Sequence, residues 1–258
     1  MTKVAWFCHS AATFTDGDDD ATLYNLVRAN LPNGYVFSPN KKWHSLVTYD
    51  DASGLGVGGA CTRDWTCGQI VGATLSDIYD ASIVIVGTFI TDFIWPYNQR
   101  SLLFGGGKIS DAVKAHLNII DTLSRQGKYI IWHAPYCLDS RTAAEGNPYG
   151  VIGGPFDASI NPDNINGNIK TGDFVLRVNA ILYNAIELLL PELRKRDIPI
   201  IDQFSAIKNG DITIGYDDNY PTGYTNLGIH INAQSHMNLY DHFMPLFEAA
   251  LHKFNGGF

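Results

Sequence analysis

The chain has 258 residues, 45% of them apolar, and a formal net charge of −8. That length buries a full core and suits a single domain over residues 1–258. With 18 lysines and arginines against 26 acidic residues and no basic run longer than Arg194-Lys195-Arg196, the composition speaks against nucleic acid or an anionic membrane as partner, because phosphate contacts need clustered cations.

No stretch approaches the roughly 18–20 apolar residues that span a bilayer. Met1 to Trp6 lacks the apolar core and cleavage site of a signal peptide, so the expected location is cytoplasmic, or virion-associated. Cys8, Cys61, Cys67 and Cys137 have no zinc-ligand spacing, and without a secretory signal reduced thiols are expected. No metal and no cofactor are expected.

Apolar strand-like runs alternate with helical patterns along the chain, which predicts a parallel α/β sheet. Val4 to Phe7 reads as the first strand. Ala21 to Leu31 reads as a helix with Leu23, Leu26, Val27 and Leu31 on one face. Asp18, Asp19 and Asp20 precede it and suit its N-cap and the positive end of its dipole. Residues 33 to about 72 read as loops around one short strand near Ser45 to Tyr49. Ser82 to Gly87 is a continuous β-branched run, the pattern of a central parallel strand covered on both faces.

A helix from Ser110 to Arg125 shows Val113, Leu117, Ile120 and Leu123 at helical spacing, and Gly127 ends it. Tyr129 to His133 reads as the next strand. Residues 138–172 form a polar, Gly-, Asn- and Pro-rich loop insertion, of the kind that binds substrate or closes over it. Asp173 to Arg196 reads as an amphipathic helix, Ile198 to Asp202 as the final strand, and about Ala233 to Phe254 as the last helix. Phe243, Leu246 and Leu251 mark that helix's apolar face.

Two residues near opposite ends suggest chemistry. Ser10 follows the first strand, where a serine is either a nucleophile awaiting a base or an ordinary turn residue. His230, in Gly228-Ile229-His230-Ile231-Asn232, sits just before the last helix, where it is either a general base or a loop hydrogen-bonding group. His236 reads as structural, packed at the start of that helix. Cys8 beside His9 is a rival nucleophile if its thiol is acidified, although a cysteine ending a buried strand commonly packs as a small hydrophobe.

His133 ends a strand at the sheet edge where α/β folds bind ligands. It either contributes to substrate binding or closes the strand. Trp43, Trp65, Trp95, Tyr97 and Tyr149 fall mostly in loops, where aromatics stack on sugar rings or bury apolar area. Asp16 and Asp18 to Asp20 lack calcium-loop spacing. Gly105-Gly106-Gly107-Lys108 lacks the spacing and hydroxyl of a P-loop, and no dinucleotide fingerprint follows the first strand.

In order and spacing these segments resemble the SGNH (GDSL-type) hydrolase family. Phe7-Cys8-His9-Ser10-Ala11 stands where the family has a strand and then Gly-Asp-Ser. Val57-Gly58-Gly59-Ala60-Cys61-Thr62 looks like its second block, Ile83 to Asp92 like its third, and Gly228 to Asn232 with His236 like its last. The resemblance implies a three-layer α/β/α sandwich around a parallel sheet of about five strands, flavodoxin-like in type. It also implies Ser10 as nucleophile, His230 as base, and the Ser10 and Gly59 amides as the oxyanion hole.

Four positions depart from the pattern. Cys8 and His9 replace the glycine and the acid before the nucleophile, and Phe89 replaces an oxyanion-hole asparagine. Leu227 stands where the acid behind the base belongs, a group whose neutralisation in one protease costs about 10⁴ in kcat. Asn226, Asp217, Asp218 or a backbone carbonyl are the substitutes in reach of sequence.

The reading is a serine esterase or deacylase acting on an acylated carbohydrate or similar small ester, with His133, Trp95 and Asn226 on the substrate. The alternatives are an O-acyltransferase to a glycan and a non-catalytic carbohydrate-binding pseudo-hydrolase. A small glycosyltransferase domain is disfavoured, because no nucleotide-phosphate motif is visible.

Overall fold

The computed structural model describes residues 1–7, 22–37, 80–87, 109–136, 171–214 and 231–256. Five parallel strands form one sheet: β1 (Thr2–Phe7), β2 (Tyr35–Phe37), β3 (Ile83–Val86), β4 (Tyr129–His133) and β5 (Ile200–Ile201). Their spatial order is β2-β1-β3-β4-β5. The helices are α1 (Leu23–Ala29), α2 (Ile109–Arg125), α3 (Thr171–Lys195), α4 (Gln203–Asn209) and α5 (Ala233–Phe254).

Successive strand residues point to opposite faces, and β4 shows where each face leads. Trp132 bonds to His116 on α2, whereas its neighbour His133 packs edge-on against Phe243 of α5. On the first side α2 also packs on α3, and on the second α1 packs on α5. This is the expected three-layer arrangement. The central strand is apolar on both faces because both are covered, and Ile83, Val84, Ile85 and Val86 are all fully buried.

Across the sheet Trp6 pairs in register with Ile85, and Ile85 with Ile131. Trp6 is the largest side chain in that row. Its ring packs on Tyr24 of α1, Phe37 of β2, and Phe243 of α5. One indole thus joins the sheet to both helices of the layer.

Several elements differ from the sequence reading. Residues 35–37 form the second strand, and the one expected near Ser45 to Tyr49 lies outside the described residues. The fifth strand holds only Ile200 and Ile201, because Asp202 turns the chain by capping α4: its carboxylate accepts from Ser205 N–H at 2.9 Å. Thr22 caps α1, its hydroxyl accepting from Asn25 N–H at 3.2 Å; Asp18 to Asp20 lie outside the described residues. On α5 the buried face runs through Phe243, Phe247, Ala250 and Leu251, while Leu246 is 37% exposed.

Other boundaries agree closely. α2 begins at Ile109 and ends at Arg125, with Gly127 at φ 77° completing the turn, a conformation glycine takes without steric cost. β4 and α5 occupy the predicted residues. Most of the insertion at 138–172 lies outside the described residues. No helix among the described residues is long and apolar enough to cross a membrane.

Candidate active site

A sheet ordered 2-1-3-4-5 reverses direction between β1 and β3, and ligands of such folds bind beyond the carboxyl ends of the strands at that reversal. Phe7 and Val86 pair in register there, followed by Trp132 and Ile200. The segment carrying Ser10 leaves this edge directly after Phe7.

The other chain end returns to the same place. α1 begins at Leu23, after the segment that leaves β1, so its N-terminus lies toward this edge. His236, in the first turn of α5, accepts the Leu23 backbone N–H at Nδ1 over 3.0 Å, a bond between residues 213 apart. His236 is fully buried and so is Ile231, the chain neighbour of His230. The start of α5 is itself capped: Asn232 accepts from Ser235 N–H at 2.9 Å and from Ser235 Oγ at 2.8 Å. His236 therefore has the structural place expected for it.

His133 has a defined tautomer. Gln203 Nε2 donates to the Leu239 carbonyl of α5 at 3.0 Å, which fixes the amide orientation because a carbonyl only accepts. Gln203 Oε1 then faces His133 Nε2 at 2.7 Å, so Nε2 carries the proton and donates. Burial holds His133 well below the usual histidine range, at about 4; the Gln203 contact acts the other way, and the charge of His242 adds to the lowering. The ring is neutral near pH 7 and lies edge-on to both Trp6 and Phe243.

Among the described residues, His133 Nδ1 and Trp6 Nε1 are buried polar atoms without a hydrogen-bond partner. Such atoms are uncommon in folded proteins. Here one acceptor and one donor stand in touching rings, with centroids 5.4 Å apart. His133 itself is 6% exposed. It lies inside the layer between the sheet and α5, held from three elements.

Of the other expected site residues, Ser10, Gly59, Trp95, Asn226 and His230 lie outside the described residues, as do Cys8, Phe89 and Leu227. Gln203 escaped the sequence reading. It is a fully buried polar side chain on a seven-residue helix, too short to show a periodic signal. No group of three or more metal-ligating side chains occurs among the described residues.

No family model matches the chain, and no curated protein does. Solved structures match over nearly its full length. The acetyl xylan esterase AlAXEase superposes with a TM-score of 0.51 at 16% identity, covering 94% of this chain and 98% of its own. A member of the lipolytic G-D-S-L family from Veillonella parvula gives 0.55 at 12% identity, covering 96% and 99%. An alpha/beta hydrolase enzyme from the metagenome of Lake Arreo, Spain, gives 0.54 at 13% identity and 96% of each chain. The fold is thus that of the SGNH (GDSL-type) hydrolases, the one the sequence blocks resemble. At these identities the common property is the fold.

Proposed function

We propose that the chain is an ester hydrolase of SGNH type, acting on an acylated carbohydrate or similar small ester. Ser10 attacks the acyl carbonyl, and His230 takes its proton and returns it to the leaving alcohol. The Ser10 and Gly59 amides receive the oxyanion. Trp95 and Asn226 are assigned to the substrate side, whereas His133, expected there from the sequence, is buried between the sheet and α5 and serves as a neutral, held ring.

The observation that carries this reading is the His236 to Leu23 bond. It brings the start of α5, and with it Ile231, to the start of α1 at the sheet edge where β1 ends. Ser10 is three residues beyond Phe7, a reach of about 10 Å at most, and His230 adjoins Ile231. The acetyl xylan esterase among the fold relatives supports an O-acetylated sugar as the first substrate to try.

The test is hydrolysis of an aryl acetate and of acetylated xylo-oligosaccharide by the parent chain and by Ser10→Ala. Loss of both activities is expected, and full retention in Ser10→Ala would sink the assignment. The substitutions at His9, Phe89 and Leu227 favour a second reading, a non-catalytic carbohydrate-binding protein on the same fold. That reading predicts no labelling of Ser10 by a fluorophosphonate and glycan binding that survives loss of both Ser10 and His230. Acyl transfer to a glycan hydroxyl uses the same residues, and would show as acylated acceptor forming faster than free acid.

A further inference from the structure

The start of a helix leaves backbone N–H groups without intrahelical partners. In α1, Thr22 Oγ1 satisfies the Asn25 N–H, and Leu26 N–H already bonds to the Thr22 carbonyl. Leu23 N–H is met from the far end of the chain by His236 Nδ1 at 3.0 Å. His236 is likewise at the start of its own helix, its N–H bonding to the Asn232 carbonyl. Two helix starts are therefore joined by one buried side chain.

Each of those helix starts is also where, along the chain, the segment bearing a proposed reacting group joins the described residues. The segment through Ser10 ends at α1, and the segment through His230 ends at α5. We infer that His236 is a positioning residue: its Nδ1 lone pair, by receiving Leu23 N–H, fixes the register between the Ser10 and His230 segments. This rests on the ester-hydrolase reading above. Misplacement by about 1 Å far from the reacting atoms costs on the order of 10²-fold in rate, so a joint between the ends of two such segments is a sensitive place.

The chemistry makes a specific demand. The ring must hold its proton on Nε2 and present a bare Nδ1. Phenylalanine keeps the ring shape but presents no acceptor. Asparagine loses the ring but places an acceptor oxygen close to the Nδ1 position. A purely space-filling role would prefer phenylalanine, and a positioning role would prefer asparagine.

The experiment compares parent, His236→Phe, His236→Asn and Ser10→Ala in aryl acetate hydrolysis, with melting temperature measured for each. His236→Phe is expected to lose tenfold or more in kcat with KM within about twofold, and His236→Asn to recover most of it even if it melts lower. Should His236→Phe fail to fold, His236→Gln, whose acceptor sits one bond further out, takes its place with the same expectation. A ¹⁵N spectrum of the parent should show His236 Nδ1 unprotonated and coupled to the Leu23 amide nitrogen.

A protonated Nδ1, or parental kcat in the acceptor-free or acceptor-shifted variant, overturns the inference. If Ser10→Ala retains full activity, the ester-hydrolase reading has failed. If Ser10→Ala is inactive while His236→Phe keeps parental kcat, the positioning role alone has failed.

Discussion

Trp132 donates its indole N–H to His116 Nε2 over 2.8 Å, joining β4 to α2 inside the core. Both residues are fully buried. An accepting Nε2 means a neutral imidazole with its proton on Nδ1. Burial accordingly lowers His116 to about 3, on the opposite face of the strand from His133, at about 4.

These two histidines predict acid sensitivity. Unfolded, each takes a proton near pH 6.5; folded, each resists until pH 3 to 4. The unfolded chain binds more protons in between, so stability present above about pH 6.5 is lost as pH falls. Each contributes a slope approaching about 1.4 kcal/mol per pH unit. Between pH 6.5 and 5 the ordinary carboxylates remain mostly charged. Urea unfolding in that window should show falling stability, and His116→Gln, which keeps an acceptor for Trp132 without titrating, should flatten it. An unchanged slope in that variant would count against His116 as a source, His133 still being present.

Phe243 is the packing centre of the layer beneath the candidate site. It stacks on Trp6 at 5.0 Å, meets His133 at 5.3 Å and leans on Phe247 at 5.5 Å. Phe243→Ala should cost about 3–5 kcal/mol, the range for aromatic-to-alanine changes in a core. A loss below about 1 kcal/mol by denaturant titration would mean that the layer refills the space.

Arg196 forks onto Asp121 through Nε at 2.7 Å and Nη2 at 3.1 Å, and reaches Glu192 through Nη1 at 2.9 Å. The guanidinium, with its hydrogen bond first, holds the Asp121 carboxyl below its ordinary range. Asp121 remains 39% exposed, so solvent screens the attraction. Arg196→Lys, which loses the fork, should cost no more than about 1 kcal/mol. The difference from parent should shrink further in 1 M salt; a salt-independent loss would point to packing instead.

Ser10 and His230 should act as one unit. If they share the chemistry, removing both costs little more than removing either, because the second loss finds nothing left to disable. Equal residual kcat/KM in Ser10→Ala, His230→Ala and the double variant is expected for an aryl acetate. Multiplying losses would separate them into independent roles.

Capping gives the smallest effect. Thr22→Ala and Asp202→Ala each remove one acceptor from a helix start and should cost about 1 kcal/mol. The two caps lie on different helices, so the double variant should be additive in thermal melts within about 0.5 kcal/mol.

Long, buried elements were legible in the chain. Ile83 to Val86 and Tyr129 to His133 are runs of β-branched and aromatic residues, and α5 announces itself with Asn232 at its cap. Short ones were not. Tyr35 to Phe37 is a strand of three residues, too few for alternation to register, and α4 spans only seven. Leu246, three residues after Phe243, has helical spacing for the inner face, yet the buried position is Phe247, one residue on, which packs against Phe243. At the site, His236 could be placed by its position, whereas its partner is the backbone N–H of Leu23, which carries no side-chain signal.

The two outer strands have a further effect. β2 holds three residues and β5 two, so among the described residues the sheet ends on each side in a very short ladder. An open edge of that size offers few unpaired amides and carbonyls for a foreign strand to extend. The long apolar strands, which would be the adhesive ones, are confined to the middle. On the β5 side, where the residues that follow the strand are described, the 2-1-3-4-5 order thus leaves a foreign strand little to pair with.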